Sequence, residues 1–328
     1  MGDNLLLGHA AACIVDRSIQ AAPLAAARRV SGRSLGARLG GGGGYALVAL
    51  AYITALGAAW LVADVAGPHR PVWALGLGYL ASALVIYAWS MAVDNGSMFD
   101  AWWSVLPPFA AVWLAAAATA GVPDLRIALV LAVVWVWGIR LTSNWARDWP
   151  GLDHEDWRYL DLYAKGPKPL VSLGAVHVFP AFTVFLASLS LVPALVWGHR
   201  PVGVVDGIAT LLGLGAVVLE FVADEQMRRF ARTKRSGDVM DGGLWRYSRH
   251  PNYFGEVLFW WSLWLFALSA DPAWWWTAVG PLAITAMFLG ASIPMLDERS
   301  RQRRPAFDDY ARRTSALVPW PPRRTTPE

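Results

Sequence analysis

The segment RHPNYFGE, residues 249–256, places polar side chains at the start of a long apolar stretch. If Pro251 lies in the first turn of a helix, where its missing N–H costs least, Asn252 and Glu256 share one helix face. The Asn252 amide offers a donor and acceptors that suit an amide-bearing ligand such as nicotinamide. Glu256 lies a turn inside the apolar stretch, where an unpaired carboxylate is expensive. The alternative interpretation is a buried Asn–Glu hydrogen bond that locks two helices together.

A second group of polar residues precedes this segment. Glu220 and Asp224 are four residues apart near the end of another apolar stretch, which also places them on one helix face. Acidic groups within such a stretch usually face a cavity, a partner or a water-filled site. The basic run that begins at Arg228 can hold phosphate oxygens through charge-assisted hydrogen bonds. The alternative, preferred for residues 232–235, is a set of cations that anchors the chain at the membrane surface.

Two further segments carry candidate residues. Residues 137–162, WGIRLTSNWARDWPGLDHEDWRYLDL, contain Asn144 and Arg147 among four tryptophans. The alternative there is a loop whose arginines snorkel and whose tryptophans lie at the membrane interface. Residues 294–320 place Glu298 and Arg299 directly after the last apolar stretch, and a solvated amphipathic tail helix is the alternative.

Composition indicates which elements must position these residues. Of 328 residues, 56% are hydrophobic and 16% are charged, against about a quarter charged in soluble proteins. Apolar runs long enough to cross roughly 30 Å of hydrocarbon recur along the chain. The sequence therefore predicts an all-α, polytopic membrane helical bundle in contact with the bilayer. Cys13 is the single cysteine and matches no metal-ligand spacing, so no metal site is expected. No nucleic-acid partner is expected either.

About eight membrane spans are predicted, and seven are possible because Pro107 and Pro108 interrupt the third. Residues 1–44 are interpreted as a disordered or weakly helical cytoplasmic tail, residues 45–321 as the membrane domain, and residues 322–328 as a C-terminal tail. The predicted spans are 45–66, 72–93, 104–121, 125–142, 171–197, 202–224, 253–270 and 273–296.

The distribution of Lys and Arg predicts orientation. Four basic segments precede the first span, follow the fourth, follow the sixth and follow the last. All four lie on the cytoplasmic side only if both termini are cytoplasmic. We therefore expect an integral membrane protein, of a bacterial inner membrane, with both ends inside.

Taken together, these motifs resemble a known family. GLWRYSRHPNYFGEVLFWW, preceded by ADEQMRRF and followed by SIPMLDERSRQRRPAFDDYARRTSALVPW, is similar to the steroid 5-alpha-reductase C-terminal domain family. More narrowly, these motifs and NWARDWPGLDHEDWRY resemble the bacterial membrane branch labelled as a domain of unknown function. The resemblance covers about residues 95–321.

The resemblance implies an all-helical membrane reductase that binds NADPH from the cytoplasmic side. It implies hydride transfer to the beta carbon of an apolar enone-type lipid, steroid-like or isoprenoid, while an acid group polarises the carbonyl. The catalytic group stays open among Glu256, Asn144 and Arg147. The cofactor-binding residues implied are Glu220, Asp224, Arg228, Tyr247, Arg249, His250, Asn252, Tyr253, Glu256, Glu298 and Arg299.

Two departures from the family pattern bear on the substrate. Asn144 and Trp145 lie where the family's tyrosine-bearing motif would fall. Glu220 replaces an amide that a steroid reductase has at the equivalent turn. The steroid nature of the substrate is therefore left open, whereas the cofactor region fits better.

Two other function classes compete with this interpretation. RHPNYFG also resembles membrane methyltransferases similar to the isoprenylcysteine carboxyl methyltransferases, which bind S-adenosylmethionine. A non-enzymatic lipid-binding membrane protein is the third possibility. Glu256 inside a span and the ADEQ helix favour the reductase, and the surplus of arginine favours NADPH over NADH. The lipid and the oligomeric state are left open.

Overall fold

The computed structural model describes residues 35–323, with side chains from residue 42. This part of the chain folds into helices joined by short connections and forms no strand, which confirms the predicted all-α class. The helices are α1 (Leu35–Ala66), α2 (Pro71–Val93), α3 (Trp102–Ala116), α4 (Asp124–Asp148), α5 (Trp157–Tyr163), α6 (Lys168–Trp197), α7 (Val204–Thr233), α8 (Pro251–Ala270), α9 (Pro272–Arg303) and α10 (Phe307–Arg313).

Seven of these helices are long and apolar enough to cross a membrane. The predicted third span corresponds to α3, which has 15 residues and contains both prolines. α3 nevertheless runs antiparallel to α4 from one end of the bundle to the other. At its start Ser104 Oγ lies 2.9 Å from Thr142 Oγ1, and just after its end the Thr119 N–H donates to the Val196 carbonyl at 3.0 Å.

The first helix begins earlier than the predicted first span. α1 starts at Leu35 and continues through the glycine run at 40–44. Gly44 faces the ring of Trp149, from which an added Cβ would lie 3.3 Å. Residues 1–34 of the predicted tail and residues 324–328 lie outside the described residues.

The two ends of the bundle differ in charge. One end, called the site end, contains residues 94–101, 149–167, 234–250 and 304–323, and it gathers the basic segments between the spans. At the opposite end Arg126 is fully buried and pairs with Asp206, with Nε 2.8 Å from Oδ1. Arg126 also donates to the carbonyls of Gly198 and Arg200, which fastens the α6–α7 connection. This cation is therefore neutralised within the protein.

Large apolar side chains cover the outside of the bundle. Val65, Leu211 and Leu170 are each more than two-thirds exposed, as expected for helices that face lipid. Trp73 and Trp275 are similarly exposed at the opposite end, where tryptophan prefers the interface between hydrocarbon and water.

The pair α7–α8 sets the position of the candidate residues. Gly255 of α8 lies so close to α7 that an added Cβ would overlap the Glu220 side chain and lie 3.0 Å from the Ala216 carbonyl oxygen. Further along, a Cβ on Gly213 would lie 2.7 Å from Ser262 Oγ. The two glycines allow the helix backbones to approach closely, which brings the acids of α7 against the first turns of α8.

Candidate functional site

Six polar side chains from α4, α7 and α8 meet just inside the site end. Each helix contributes two of them, spaced four residues apart, so each pair lies on one helix face. We call this group the carboxyl cluster, and it consists of Arg140, Asn144, Glu220, Asp224, Asn252 and Glu256.

Asp224 is the centre of the carboxyl cluster. The Arg140 guanidinium donates one nitrogen to Asp224 and another to Glu220, so it joins α4 to both acids of α7. Asp224 also accepts from Asn144 Nδ2 at 3.0 Å and from Asn252 Nδ2 at 3.1 Å. Three helices are thereby tied to one buried carboxylate.

Glu256 is held differently from the other two acids. Trp137 Nε1 donates to one of its oxygens at 3.0 Å, and Trp260 Nε1 donates to the other at 2.8 Å. The Trp137 ring stacks on Phe259 at a centroid distance of 4.3 Å. Glu256 therefore sits in an aromatic cage with two N–H donors.

Polar side chains connect the carboxyl cluster to the surface. Arg228, one turn beyond Asp224 on α7, donates to Asn144 Oδ1 and to Asp148 Oδ2, the latter at 2.8 Å. Arg228 also reaches Glu225 at 3.1 Å. Exposure of the acidic side chains rises along this route, from 2% at Asp224 to 13% at Asp148 and 26% at Glu225.

Two buried acceptor atoms in the carboxyl cluster receive no hydrogen bond from the protein. They are Asn252 Oδ1 and Glu220 Oε1. A buried acceptor without a donor costs about 1–3 kcal/mol, so atoms of this kind mark places where a ligand donor or a proton belongs. Both atoms lie at the contact between α7 and α8.

A second polar group, the rim cluster, lies outside the start of α8 and consists of Arg249, His250 and Asp297. Asp297 accepts from Arg249 Nη2 at 2.7 Å and lies 3.0 Å from His250 Nε2. Arg249 Nη1 donates to the Thr314 carbonyl at 2.6 Å, which holds the C-terminal segment in place. Burial lowers the pKa of His250, and Asp297 opposes that shift.

The rim cluster borders a small pocket at the site end. Arg304 and Tyr310 lie on its wall beside the rim cluster. Tyr310 donates its hydroxyl to the Trp245 carbonyl at 2.6 Å, and burial raises the pKa of this phenol. The C-terminal helix α10 is thereby fastened to the segment before α8.

A third polar group, the loop cluster, joins the α2–α3 connection to α5 and consists of Asp100, Asp156, Arg158 and Tyr159. Arg158 pairs with Asp156 at 2.8 Å, and the Tyr159 hydroxyl donates to Asp100 Oδ1 at 2.6 Å. Burial, together with the charge of Asp156, raises the pKa of Asp100 to about 7.

The structure brings most of the predicted residues into two of these groups. Glu220, Asp224, Asn252, Glu256 and Asn144 form the carboxyl cluster with Arg140, and Arg228 contacts it. Arg249 and His250 belong to the rim cluster. Tyr253 lies between the groups, with its ring stacked on Phe288 at 4.3 Å and on His250 at 5.4 Å.

Three predicted residues lie outside both groups, and a fourth, Arg147, reaches the carboxyl cluster only through a long hydrogen bond. Arg147 is about half exposed, with Nη2 3.4 Å from Asn144 Oδ1 and 3.9 Å from Glu225, and Tyr247 is 42% exposed. Glu298 is exposed and pairs with Arg301 at 3.5 Å on its own helix. Arg299 stacks on the Trp157 ring, with the guanidinium carbon 3.8 Å from the ring centroid.

Sequence reasoning did not select Arg140, Trp137, Trp260 or Asp297 as site residues. Arg140 lies four residues before Asn144, and Trp260 lies four residues after Glu256. This spacing places each of them on the same helix face as a predicted site residue and could have identified both. Asp297 is adjacent to the predicted Glu298. One position corresponds to about 100° of helix rotation, which separates a buried residue from an exposed one.

A family model matches most of this chain. The model of the family described as "Protein of unknown function (DUF1295)" matches residues 86–314. The chain belongs to the DUF1295 family. The matched range contains the carboxyl, rim and loop clusters, whereas α1 lies before it.

One curated relative extends beyond the family match. An uncharacterised protein of Schizosaccharomyces pombe is 26% identical over 262 residues, which covers 72% of this DUF1295 chain and 76% of the relative. No solved structure gives a significant match. Within residues 35–323, no three His, Cys, Asp or Glu residues come together in a group able to hold a metal ion.

Proposed function

We propose that this protein is a membrane-embedded, NADPH-dependent reductase of an apolar enone-type lipid, either steroid-like or isoprenoid. The DUF1295 family is related to steroid 5-alpha-reductase-like proteins, which is consistent with the motifs around Asn252 and Glu256. Hydride would be transferred to the beta carbon of the enone. The observation that carries the proposal is the carboxyl cluster, a buried polar site at one end of an apolar bundle.

An unpartnered acceptor fits the nicotinamide end of the cofactor. A carboxamide NH₂ group donates hydrogen bonds, and Asn252 Oδ1 is a buried acceptor without a protein donor. Asn252 cannot turn freely, because its Nδ2 is engaged by Asp224 at 3.1 Å. Asn252 therefore presents its carbonyl oxygen in a fixed direction.

The phosphate end of the cofactor would use exposed cations. Arg249 is largely committed to Asp297 and to backbone carbonyls, and Arg228 to Asn144, Asp148 and Glu225. We therefore assign these two arginines to positioning the site. Exposed arginines of the same end then meet the phosphates through charge-assisted hydrogen bonds. They are Arg229 and Arg246.

The residues of this chain would act mainly by positioning and by excluding water. The cofactor, when bound, supplies the hydride. Asp224 holds Asn144 and Asn252 at fixed angles, and the Trp137 ring, stacked on Phe259, adds apolar surface beside Glu256. Aligning a hydride donor with its acceptor in a site without water lowers a barrier by several kcal/mol.

Two of the three candidate catalytic residues are poorly suited to donate a proton. Both ends of the Asn144 amide are engaged, by Asp224 and by Arg228. Arg147 is half exposed at the surface, and a guanidinium keeps its proton above pH ~12. Glu256 is the remaining candidate of the three.

We further propose that the site end faces the cytoplasm and that both termini lie there. The basic segments between spans collect at this end, as the positive-inside bias requires. A soluble, charged cofactor would then enter from the cytoplasm, and an apolar substrate from the bilayer. Because a relative occurs in a fungus, the proposal is not restricted to a bacterial inner membrane.

Nucleotide selection tests the proposal against the other two function classes. Detergent-purified protein would be titrated with NADPH, NADH and S-adenosylmethionine in a calorimeter. We expect NADPH to bind at least tenfold more tightly than NADH. Binding of S-adenosylmethionine alone would move the protein to the methyltransferases. Binding of no nucleotide would refute the reductase and favour a lipid-binding role.

A further inference from the structure

We propose that Glu220 and Glu256 share one proton at neutral pH and that this pair is the proton donor of the reduction. The inference extends the proposed function, which by itself assigns only the hydride. It rests on the distribution of charge and hydrogen-bond donors among the three acids of the carboxyl cluster.

The acids of the carboxyl cluster outnumber the cations. Glu220, Asp224 and Glu256 are contacted by a single guanidinium, that of Arg140, which bonds only the first two. The next cation, Arg228, is already paired with Asp148 and Glu225. Three full negative charges against one positive charge are not stable among apolar helices, so a proton must reduce the charge.

The distribution of hydrogen-bond donors indicates that this proton lies between Glu220 and Glu256. Each Glu256 oxygen accepts an indole N–H, one from Trp137 and one from Trp260, and these two donors stabilise the charged form of Glu256. Glu220 Oε2 accepts from Arg140, whereas Oε1 has no donor. Glu220 packs against Gly255, the residue before Glu256, and its Oε1 has no donor, so this oxygen is where the shared proton would reside.

This arrangement supplies the second half of the proposed reaction. Reducing a carbon–carbon double bond takes up one hydride and one proton. As the hydride forms a C–H bond at the beta carbon, the electron pair of the double bond moves toward the alpha carbon. The O–H bond of the carboxyl pair then breaks, a C–H bond forms at the alpha carbon, and the pair is left with two carboxylates.

The site end is where the carboxyl pair would regain its proton. Acidic side chains become more exposed toward this end, from 2% at Asp224 to 13% at Asp148 and 26% at Glu225. If the site end faces the cytoplasm, each turnover takes its proton from water on that side.

Infrared spectroscopy tests the shared proton without any substrate. A protonated carboxyl group absorbs in its own carbonyl-stretch region, and the band shifts to lower frequency in D₂O. Asp100 has a pKa of about 7 and would contribute a band of its own, so all measurements use Asp100→Asn as the background. We expect one band at pH 7 in this background, lost when either Glu220→Gln or Glu256→Gln is added. The control Asp148→Asn leaves the band in place.

Two results would overturn the inference. One is the absence of a protonated-carboxyl band in Asp100→Asn at pH 7, a result that requires no further variant to fold. The other is a band that survives in both glutamine variants, each shown to be folded by gel filtration and tryptophan fluorescence. Nucleotide titration tests the reductase separately from the shared proton. Protein that shows the band but binds no NADPH would retain the shared proton and refute the proposed reductase function.

Discussion

Removing Arg140 should destabilise the fold far more than removing a nearby arginine of the same helix. The Arg140 side chain is 10% exposed and donates one charge-assisted hydrogen bond to Glu220 and another to Asp224. Each such bond is worth about 1.5–3 kcal/mol, and breaking a buried ion pair by deleting one partner costs about 3–5 kcal/mol. We therefore expect Arg140→Gln to lose about 3–5 kcal/mol of unfolding free energy.

Arg147 of the same helix provides the matched control. Its side chain is 51% exposed, and its contacts are long, 3.4 Å to Asn144 Oδ1 and 3.9 Å to Glu225. Surface pairs of this kind contribute about 0–1 kcal/mol, so Arg147→Gln should be nearly neutral. The assay is reversible unfolding in mixed micelles with rising SDS, followed by tryptophan fluorescence.

A double variant tests whether the cost comes from uncompensated charge. Adding Asp224→Asn to Arg140→Gln removes the carboxylate that lost its cation, so the combined loss should fall short of the sum by roughly 1–3 kcal/mol. Additive losses would refute the reasoning. So would an Arg140→Gln variant that is no less stable than Arg147→Gln, because the two acids would then not depend on this guanidinium.

Three further predictions use the same unfolding assay. Trp137→Phe removes one indole donor from Glu256 and should cost about 1.5–3 kcal/mol, and a change below about 0.5 kcal/mol would contradict the cage. Gly255→Ala should cost about 1–3 kcal/mol because its Cβ would overlap a side-chain carbon of α7, whereas Gly215→Ala, which meets nothing within 4 Å, should cost less than 0.5 kcal/mol. Asp100 has its pKa raised to about 7 when folded, against about 3.9 unfolded, so its contribution favours folding at low pH and is lost as the pH rises toward 7. Asp100→Asn should flatten the dependence of the unfolding free energy on pH between pH 4 and 7. An unchanged slope would exclude Asp100 as the source of that dependence.

The helices could be predicted well because a bilayer demands long apolar segments. Seven of the predicted spans correspond to helices that meet the requirements of length and apolarity. The predicted third span differs because Pro107 and Pro108 lie inside α3, and its 15 residues reach across by packing against α4. The start of α1 at Leu35 was not predictable from local propensity, since glycine disfavours helix interiors.

The candidate site could be predicted where one helix carried two polar groups four residues apart. The pairs Glu220 and Asp224, and Asn252 and Glu256, lie on the shared faces that their spacing predicts. The partners supplied by other helices could not be predicted, because no local pattern shows that Arg140 lies opposite Asp224. Asp297 was missed for a related reason, since choosing between neighbours at a helix end requires the rotation of that helix.

Calorimetric binding of NADPH to a pair of asparagine variants tests the central claim most directly. Asn252 belongs to the carboxyl cluster, whereas Asn95 is an equally buried amide that bonds the carbonyls of Leu152 and His154 away from the carboxyl and rim clusters. The account predicts that folded Asn252→Ala weakens NADPH binding at least tenfold while folded Asn95→Ala retains the wild-type affinity. Equal affinity of Asn252→Ala and the wild-type protein would contradict it.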